Sequence, residues 1–246
     1  MLENYLWFDS NNIKVGFKEK DRKFVKKTFT GLEEAIKFLS VYFYLERKFP
    51  SIRVILAPNR EEYDFLVKKL LKVNIETPSN PSRIAQPQRT DLVLLTPSAY
   101  STDSIYKYSA KEYKRLLFHE VTHMFEEYLS PNIELTPRWW SEGLAVYLSK
   151  QWEYEDEFNG SVLQGCKNKK IPDFKKIEKN VKFSYQWGWT IVMFIEKTFG
   201  KEMIIRIVRE CNDGDVFRII GENFKDFEKR WKEWLVEHWR NIFNFA

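Results

Sequence analysis

Apolar residues follow two different spacings along the first part of the chain, and each spacing predicts a different element. In residues 4–18 they alternate loosely, which predicts a strand or hairpin with its turn at 9–12. Across residues 21–48 they recur every three or four positions, which predicts a helix, with Gly31 as a candidate interruption. The chain therefore begins with a strand followed by a long helix.

Shorter apolar runs continue the pattern. Residues 51–57 predict a strand, 60–72 a helix and 91–96 a second strand that Pro97 ends. The proline-containing stretch 74–90 predicts a loop. The order of elements predicts a small sheet with helices interspersed.

The pattern changes after residue 130. Helical spacing resumes at 137, and further helices are predicted at 185–199, 201–211 and 223–240. Residues 152–183 predict a long connection. We therefore expect an α+β subdomain over residues 1–130, an all-helical subdomain over 131–246, and a cleft between them.

Composition narrows the class of protein. The chain has 246 residues, 43% of them hydrophobic, and a net charge of +5 from 40 basic and 35 acidic residues that are interleaved. Interleaved charge is typical of a solvated surface, so no nucleic-acid partner is expected. The N-terminus has no basic stretch followed by an apolar one, and no apolar run is long enough for a membrane span. We expect a cytoplasmic protein with no membrane partner and two reduced cysteines.

One stretch carries a metal-binding pattern. Ser109 and Glu112 have the form of a capping box and predict the start of a helix that runs to about residue 129. Within it lies the sequence His119-Glu120-Val121-Thr122-His123. Histidines four positions apart share one helix face and can bind one ion, while the glutamate leans toward a water on that ion. The spacing predicts a zinc hydrolase.

A third ligand is needed, because catalytic zinc usually takes three protein ligands and a water. Glu126 lies about 10 Å along the helix axis from His119, which is too far for one tetrahedral site. His238 lies in an amphipathic segment near the C-terminus, where packing or solvent contact is expected. Glu142, which stands among apolar residues on the next predicted helix, is the better candidate. The small residue Gly143 beside it suits close packing of that helix against the metal-binding helix.

These residues resemble a known group of enzymes. The pair HEVTH (119–123) and WWSEGLAVY (139–147) is similar to the paired signature of the gluzincin metallopeptidases, in particular the peptidase MA-like family, and more distantly to the aminopeptidase-N and thermolysin families. The resemblance implies a thermolysin-like fold: a mixed sheet and a metal-binding helix, followed by a helical half. It also implies one zinc ion per chain, held by His119, His123 and Glu142.

Two departures refine the resemblance. Aminopeptidases carry a glutamate before the metal helix that holds the substrate's free amine, but residues 83–98 contain no glutamate. This favours an endopeptidase. Thermolysin-type enzymes have an acidic residue four positions after the ligand glutamate, and here that position is Val146.

The expected mechanism is metal-assisted hydrolysis of a peptide bond, with peptides or unfolded protein as substrate. Zinc lowers the pKa of its water toward about 7, and Glu120 accepts the proton as general base. The segment 185–188 resembles the place where aminopeptidase-N enzymes carry an oxyanion-binding tyrosine, which makes Tyr185 the candidate donor and His238 its competitor. In this fold the strand before the metal helix is an edge to which an extended peptide can add. The expected substrate-binding residues there are Leu92, Val93, Leu94 and Leu95.

Two other classes of function stay open. A non-catalytic or regulatory module could retain zinc for structure, although a structural site rarely needs a base such as Glu120. Nucleic-acid binding rests only on the basic isoelectric point and the many aromatic residues. Of the three, the peptidase hypothesis explains most of the residues.

Overall fold

The computed structural model describes residues 2–153 and 156–243. The chain divides into two compact units, residues 1–124 and 125–246. The first unit contains a mixed five-stranded sheet with helices, and the described part of the second contains helices without a strand. The predicted α+β class with a mixed sheet is confirmed.

The sheet of the first unit has the strand order β1 (Leu6–Ser10), β2 (Ile13–Phe17), β3 (Ile52–Ala57), β5 (Asp91–Leu95) and β4 (Ala85–Gln88). Its central strands β2, β3 and β5 run parallel, while β1 and β4 pair antiparallel at the two edges. The predicted N-terminal hairpin is present, and it turns through Asn11 and Asn12 at φ values of 48° and 68°. Asparagine tolerates this left-handed conformation, which two-residue hairpin turns require. The elements are β1 (Leu6–Ser10), β2 (Ile13–Phe17), α1 (Arg22–Tyr42), β3 (Ile52–Ala57), α2 (Arg60–Lys69), β4 (Ala85–Gln88), β5 (Asp91–Leu95), α3 (Tyr100–Asp103) and α4 (Ala110–Leu129).

The strand β5 is not an edge, so the prediction of a free edge at Leu92, Val93, Leu94 and Leu95 is wrong. β5 pairs with β3 on one side and with β4 on the other, and these four side chains are fully buried. The reason is the short strand β4, which lies inside the stretch predicted to be a loop. An incoming peptide cannot add to β5 because both of its sides are already hydrogen-bonded.

Helix α1 runs through Gly31 without interruption. A Cβ atom at Gly31 would lie 2.5 Å from Cδ1 of Leu117 on α4, so the glycine allows a close approach of the two helices. Nearby, the hydroxyls of Thr28 and Tyr113 lie 2.7 Å apart, and both side chains are buried. These contacts hold the first part of α4 against α1.

The second unit is built on aromatic packing. Phe174 forms edge-to-face contacts with Trp139, Phe217 and Trp231 at centroid distances of 5.3–5.4 Å. The predicted connection at 152–183 is wrong, because it contains two helices, α6 (Asp156–Lys167) and α7 (Phe174–Lys179), and α7 carries Phe174 into this core. The elements are α5 (Arg138–Ser149), α6 (Asp156–Lys167), α7 (Phe174–Lys179), α8 (Val181–Phe199), α9 (Lys201–Glu210), α10 (Val216–Ile220) and α11 (Phe224–Phe243).

Two further expectations concern membranes and cysteines. Among the described residues, none of the helices combines the length and the hydropathy needed to cross a bilayer. Cys166 and Cys211 are both free thiols, and both are buried.

Candidate metal centre

One side of helix α4 faces the core, and another side carries the histidines. Leu117, Val121 and Phe125 recur every four residues and are fully buried. At 3.6 residues per turn, His119 and His123 point away from that stripe and lie one above the other. The predicted capping box contributes at the start of the helix, where the Ser109 hydroxyl accepts the Glu112 N–H at 3.4 Å.

The two histidines approach each other through the same ring nitrogen. Nε2 of His119 and Nε2 of His123 are 3.1 Å apart, and the rings are nearly perpendicular at 81°. Two nitrogens bound at about 2.05 Å to one tetrahedral ion would be about 3.3 Å apart. The pair is therefore close to the spacing that a shared ion requires.

Glu142 completes a group that could hold a metal ion. One donor atom each from His119, His123 and Glu142 lies within 4.8 Å of the others. His119 is buried, whereas His123 and Glu142 are partly exposed. Two imidazoles and one carboxylate form a donor set that zinc accepts, and the group is compact enough to gather around one ion with a small movement of the carboxylate. The residues present therefore fit the metal that the sequence pattern implies.

Glu120 lies in a buried setting that contains two phenols. The Glu120 side chain is 7% exposed, and its negative charge acts on the phenols of Tyr63 on α2 and Tyr100 on α3. Burial, followed by the charge of Glu120, raises the pKa of Tyr63; burial, Tyr113 and Glu120 raise the pKa of Tyr100. Within the described residues, neither phenol hydroxyl has a hydrogen-bond partner. Sequence reasoning missed both tyrosines, because they lie far from the motif in the chain.

A second carboxylate on α4 anchors the start of α5. Ser141 donates a hydrogen bond of 2.8 Å to Oε2 of Glu126, and Glu126 is 1% exposed. Glu126 is seven positions after His119 and so lies on the same side of the helix. Because Ser141 directly precedes Glu142, this bond fixes the backbone beside the third candidate ligand. Val146 stands four positions after Glu142, where thermolysin-type enzymes have an acidic residue. Its apolar side chain is fully buried.

The small residue after Glu142 serves a different contact from the one expected. A Cβ atom at Gly143 would lie 2.4 Å from the backbone carbon of Gly188, so α5 packs closely against α8 at this point. The nearest neighbour at Gly143 is therefore α8, whereas the sequence suggested the metal-binding helix. The two helices also meet through Tyr147 and Glu196, whose side chains form a short hydrogen bond. Gly143 precedes Tyr147 on α5, and their partners Gly188 and Glu196 follow in the same order on α8. The two helices therefore run in the same general direction.

Tyr185 and His238 have different surroundings. Tyr185 is half-buried, lies three residues before Gly188 on α8, and tilts against Phe158 at 6.4 Å. Along α8 this position lies about one helical turn before the residue that meets α5 at Gly143. His238 stacks on Trp234 at 5.3 Å, and its Nδ1 lies 2.9 Å from the Trp234 carbonyl oxygen. These contacts give His238 a packing role on α11.

Comparison with known proteins does not assign a family. No protein-family model matches the chain, and no curated protein is found to be a relative. The function must therefore be argued from the residues and their geometry.

Proposed function

We propose that this chain is a zinc-dependent metallopeptidase with a thermolysin-like fold, and that it acts as an endopeptidase. The observation that carries the proposal is the donor set of His119, His123 and Glu142, with their ligand atoms within 4.8 Å. Glu120, buried at the same helix turn, supplies the base that a structural zinc site would not need. The mixed sheet ahead of the motif and the helical unit after it are consistent with the fold.

The chemistry divides between the ion and the protein. A zinc ion held by this donor set would supply Lewis acidity, which lets water attack a carbonyl near neutral pH. Glu120 takes the proton of the attacking water and passes it to the leaving amine. Its buried surroundings exclude competing water, and the Glu126–Ser141 bond keeps the backbone at Glu142 in place.

Tyr185 is our candidate for stabilising the developing oxyanion. It lies near the α5–α8 crossing, one helical turn from the glycine that meets Gly143. A phenol at such a position can donate a hydrogen bond to negative charge as it forms on the substrate. His238 already engages Trp234 through its ring and its Nδ1 atom, which favours Tyr185.

An extended substrate would add to the sheet at β4, since that strand is an edge. The hydrogen bond from the Leu95 N–H to the Ile84 carbonyl, at 2.8 Å, fixes which groups point inward. In an antiparallel ladder the pairs alternate, so the N–H and C=O of Ala85 and the C=O of Pro87 point outward. Proline has no N–H, and the Pro87 carbonyl already accepts from the Gln86 side chain at 3.1 Å. Backbone pairing is therefore confined to Ala85, and side-chain contacts must supply the rest of the affinity.

The test joins a metal analysis to the digestion of a peptide library. We expect one zinc ion per chain, and Glu142→Ala should weaken zinc binding by about tenfold or more, since it removes a ligand and not only a support. Glu134→Ala is the matched control, because Glu134 is exposed and lies outside the metal group. Glu120→Gln should keep zinc and melting temperature but abolish turnover.

The outcomes separate the two zinc-binding hypotheses. Zinc binding with no cleavage of any library peptide would favour a non-catalytic module. Wild-type protein that binds no zinc would exclude both hypotheses, and cleavage by Glu120→Gln at the wild-type rate would exclude the mechanism.

A further inference from the structure

A cavity of about 460 Å³ opens beside the candidate ligand Glu142. Its volume lies within the range of small-ligand pockets and exceeds the size of one amino-acid side chain. The cavity is lined by Ile133, Thr136, Arg138, Ser141, Glu142 and Glu178. Most of this lining is polar, so the chemistry of the charged groups decides what the cavity can hold.

Glu178 is already engaged with the protein. Its carboxylate accepts hydrogen bonds from the backbone N–H groups of Arg138 and Trp139, at the first turn of α5. A carboxylate at that place satisfies N–H groups that have no partner inside the helix, and it also interacts favourably with the helix dipole. Partial burial raises the pKa of Glu178, and the charge of Arg138 and these two hydrogen bonds act against that rise. Because the Glu178 carboxylate already binds the first turn of α5, it has less capacity to bind a ligand.

Arg138 is the opposite case. Its guanidinium is exposed and attracts the Glu178 carboxylate through charge, but in the part of the chain that the structure describes the side chain forms no hydrogen bond and no ion pair within 4.0 Å. A guanidinium carries five N–H donors in a planar arrangement that matches a carboxylate. The donors of Arg138 are thus available on the wall of a cavity that also contains the third candidate metal ligand.

We propose that this cavity binds a carboxylate of the peptide substrate through Arg138. The inference rests on the proposed peptidase function and deepens it, because it names the substrate class. The carboxylate can come from an acidic side chain or from a free C-terminus, and both present the same two oxygens to the guanidinium. Thr136 adds a hydroxyl group to the same lining.

The charge of the cavity is consistent with an anionic ligand once the metal site is filled. Glu142 contributes a negative charge, but a divalent cation bound to it and to two neutral imidazoles more than compensates that charge. The charge of Glu178 faces the two N–H groups of α5. With a divalent ion bound, the positive charges of the ion and Arg138 exceed the negative charges of Glu142 and Glu178 by one, so the lining favours an anion.

The experiment measures binding, so that it does not depend on turnover. Zinc-loaded Glu120→Gln protein is titrated calorimetrically with four peptides of equal length, all with a blocked N-terminus. The first is neutral with an amidated C-terminus, the second is the same peptide with a free carboxylate, the third carries one Glu with an amidated end, and the fourth carries Gln in its place. The second and third peptides separate the two sources of the carboxylate.

We expect at least one carboxylate peptide to bind about tenfold more tightly than its neutral match, which is the lower range for a charge-assisted hydrogen bond at an exposed arginine. Adding Arg138→Gln should bring that ratio close to one, and Arg138→Lys should keep part of it because the charge stays. Lys175→Gln is the control: it removes the same charge from an exposed residue of α7 that does not line the cavity, and the ratio should remain about tenfold.

Three results would overturn the inference: equal affinity for all four peptides, no binding of either carboxylate peptide, or a carboxylate preference that survives Arg138→Gln. The proposed function has a separate readout, which is cleavage by the protein with Glu120 intact. A carboxylate preference without any cleavage would therefore refute the peptidase and leave the binding site standing.

Discussion

Replacement of Gly143 by alanine tests whether the α5–α8 crossing supports the candidate metal centre. The new Cβ would lie 2.4 Å from the Gly188 backbone carbon, whereas ordinary contacts begin at 3.4 Å, so the helices must separate by roughly 1 Å. The obstacle is backbone, which cannot rotate away as a side chain would. Overpacking of this kind costs about 1–3 kcal/mol, and we expect the upper end.

Part of this cost is offset, because alanine favours a helix over glycine by about 1 kcal/mol. The net loss of unfolding free energy should be about 2 kcal/mol. For a chain of this length that corresponds to a fall in melting temperature of about 4–8 °C. The displaced backbone also carries Glu142, so zinc affinity should fall in the same variant.

Gly160 on α6 provides the matched control. No atom lies within 4 Å of a Cβ built there, so the same substitution meets open space. Gly160→Ala should raise the unfolding free energy by about 0.5–1 kcal/mol through helix propensity alone. Thermal unfolding followed by circular dichroism measures both variants. If Gly143→Ala proved as stable as Gly160→Ala, the close crossing would be refuted.

Three further predictions concern catalysis, substrate pairing and pH. Tyr185→Phe should lower kcat by about 10²–10³ with zinc content unchanged, as loss of one oxyanion donor does, whereas His238→Ala should stay within a few-fold; steady-state assays showing the reverse would make His238 the donor. Ala85→Pro removes the outward N–H of β4 without breaking the ladder, and should lower kcat/KM about fivefold through one lost backbone hydrogen bond; an unchanged kcat/KM would mean that substrate does not pair there. Burial raises the pKa of the Cys166 thiol from 9.0 to about 12, so between those pH values the folded protein keeps a proton that the unfolded chain releases, and stability should fall as pH rises through this window. Denaturant midpoints at pH 8, 9.5 and 11 measure that fall, which Cys166→Ala should reduce; an equal fall in the variant would assign it to other groups.

The elements predicted correctly are those with a strong and uninterrupted apolar spacing. Helix α4 and the strands β3 and β5 were of this kind, because burial of one face or of the whole strand dictates the pattern. Strand β4 was missed because Ala85–Gln88 is only four residues long, contains a proline and is half-buried on both faces. Helix α6 was missed since Gly160 and Gly165 lie within it, and glycine ordinarily argues against a helix.

The candidate site divides in the same way. The pair His119–His123 and its base follow from the geometry of a single helix, so local spacing predicts them. The bond between Glu126 and Ser141 and the contact between Gly143 and Gly188 each join two helices, and no spacing within one helix encodes such a partner. A single sequence therefore predicts the chemistry of the site better than the contacts that hold it in place.

The tryptophans around the crossing of α5 and α8 also give the protein an intrinsic fluorescence signal. Buried indoles flank the crossing on both helices, namely Trp139 and Trp140 on α5 and Trp187 and Trp189 on α8. Of the nine tryptophans in the chain, only Trp7 belongs to residues 1–124. Intrinsic fluorescence therefore follows the second unit almost alone, and a red shift marks the entry of water between its helices. Compared with circular dichroism of the sheet, this signal can tell which unit of the unlabelled protein opens first.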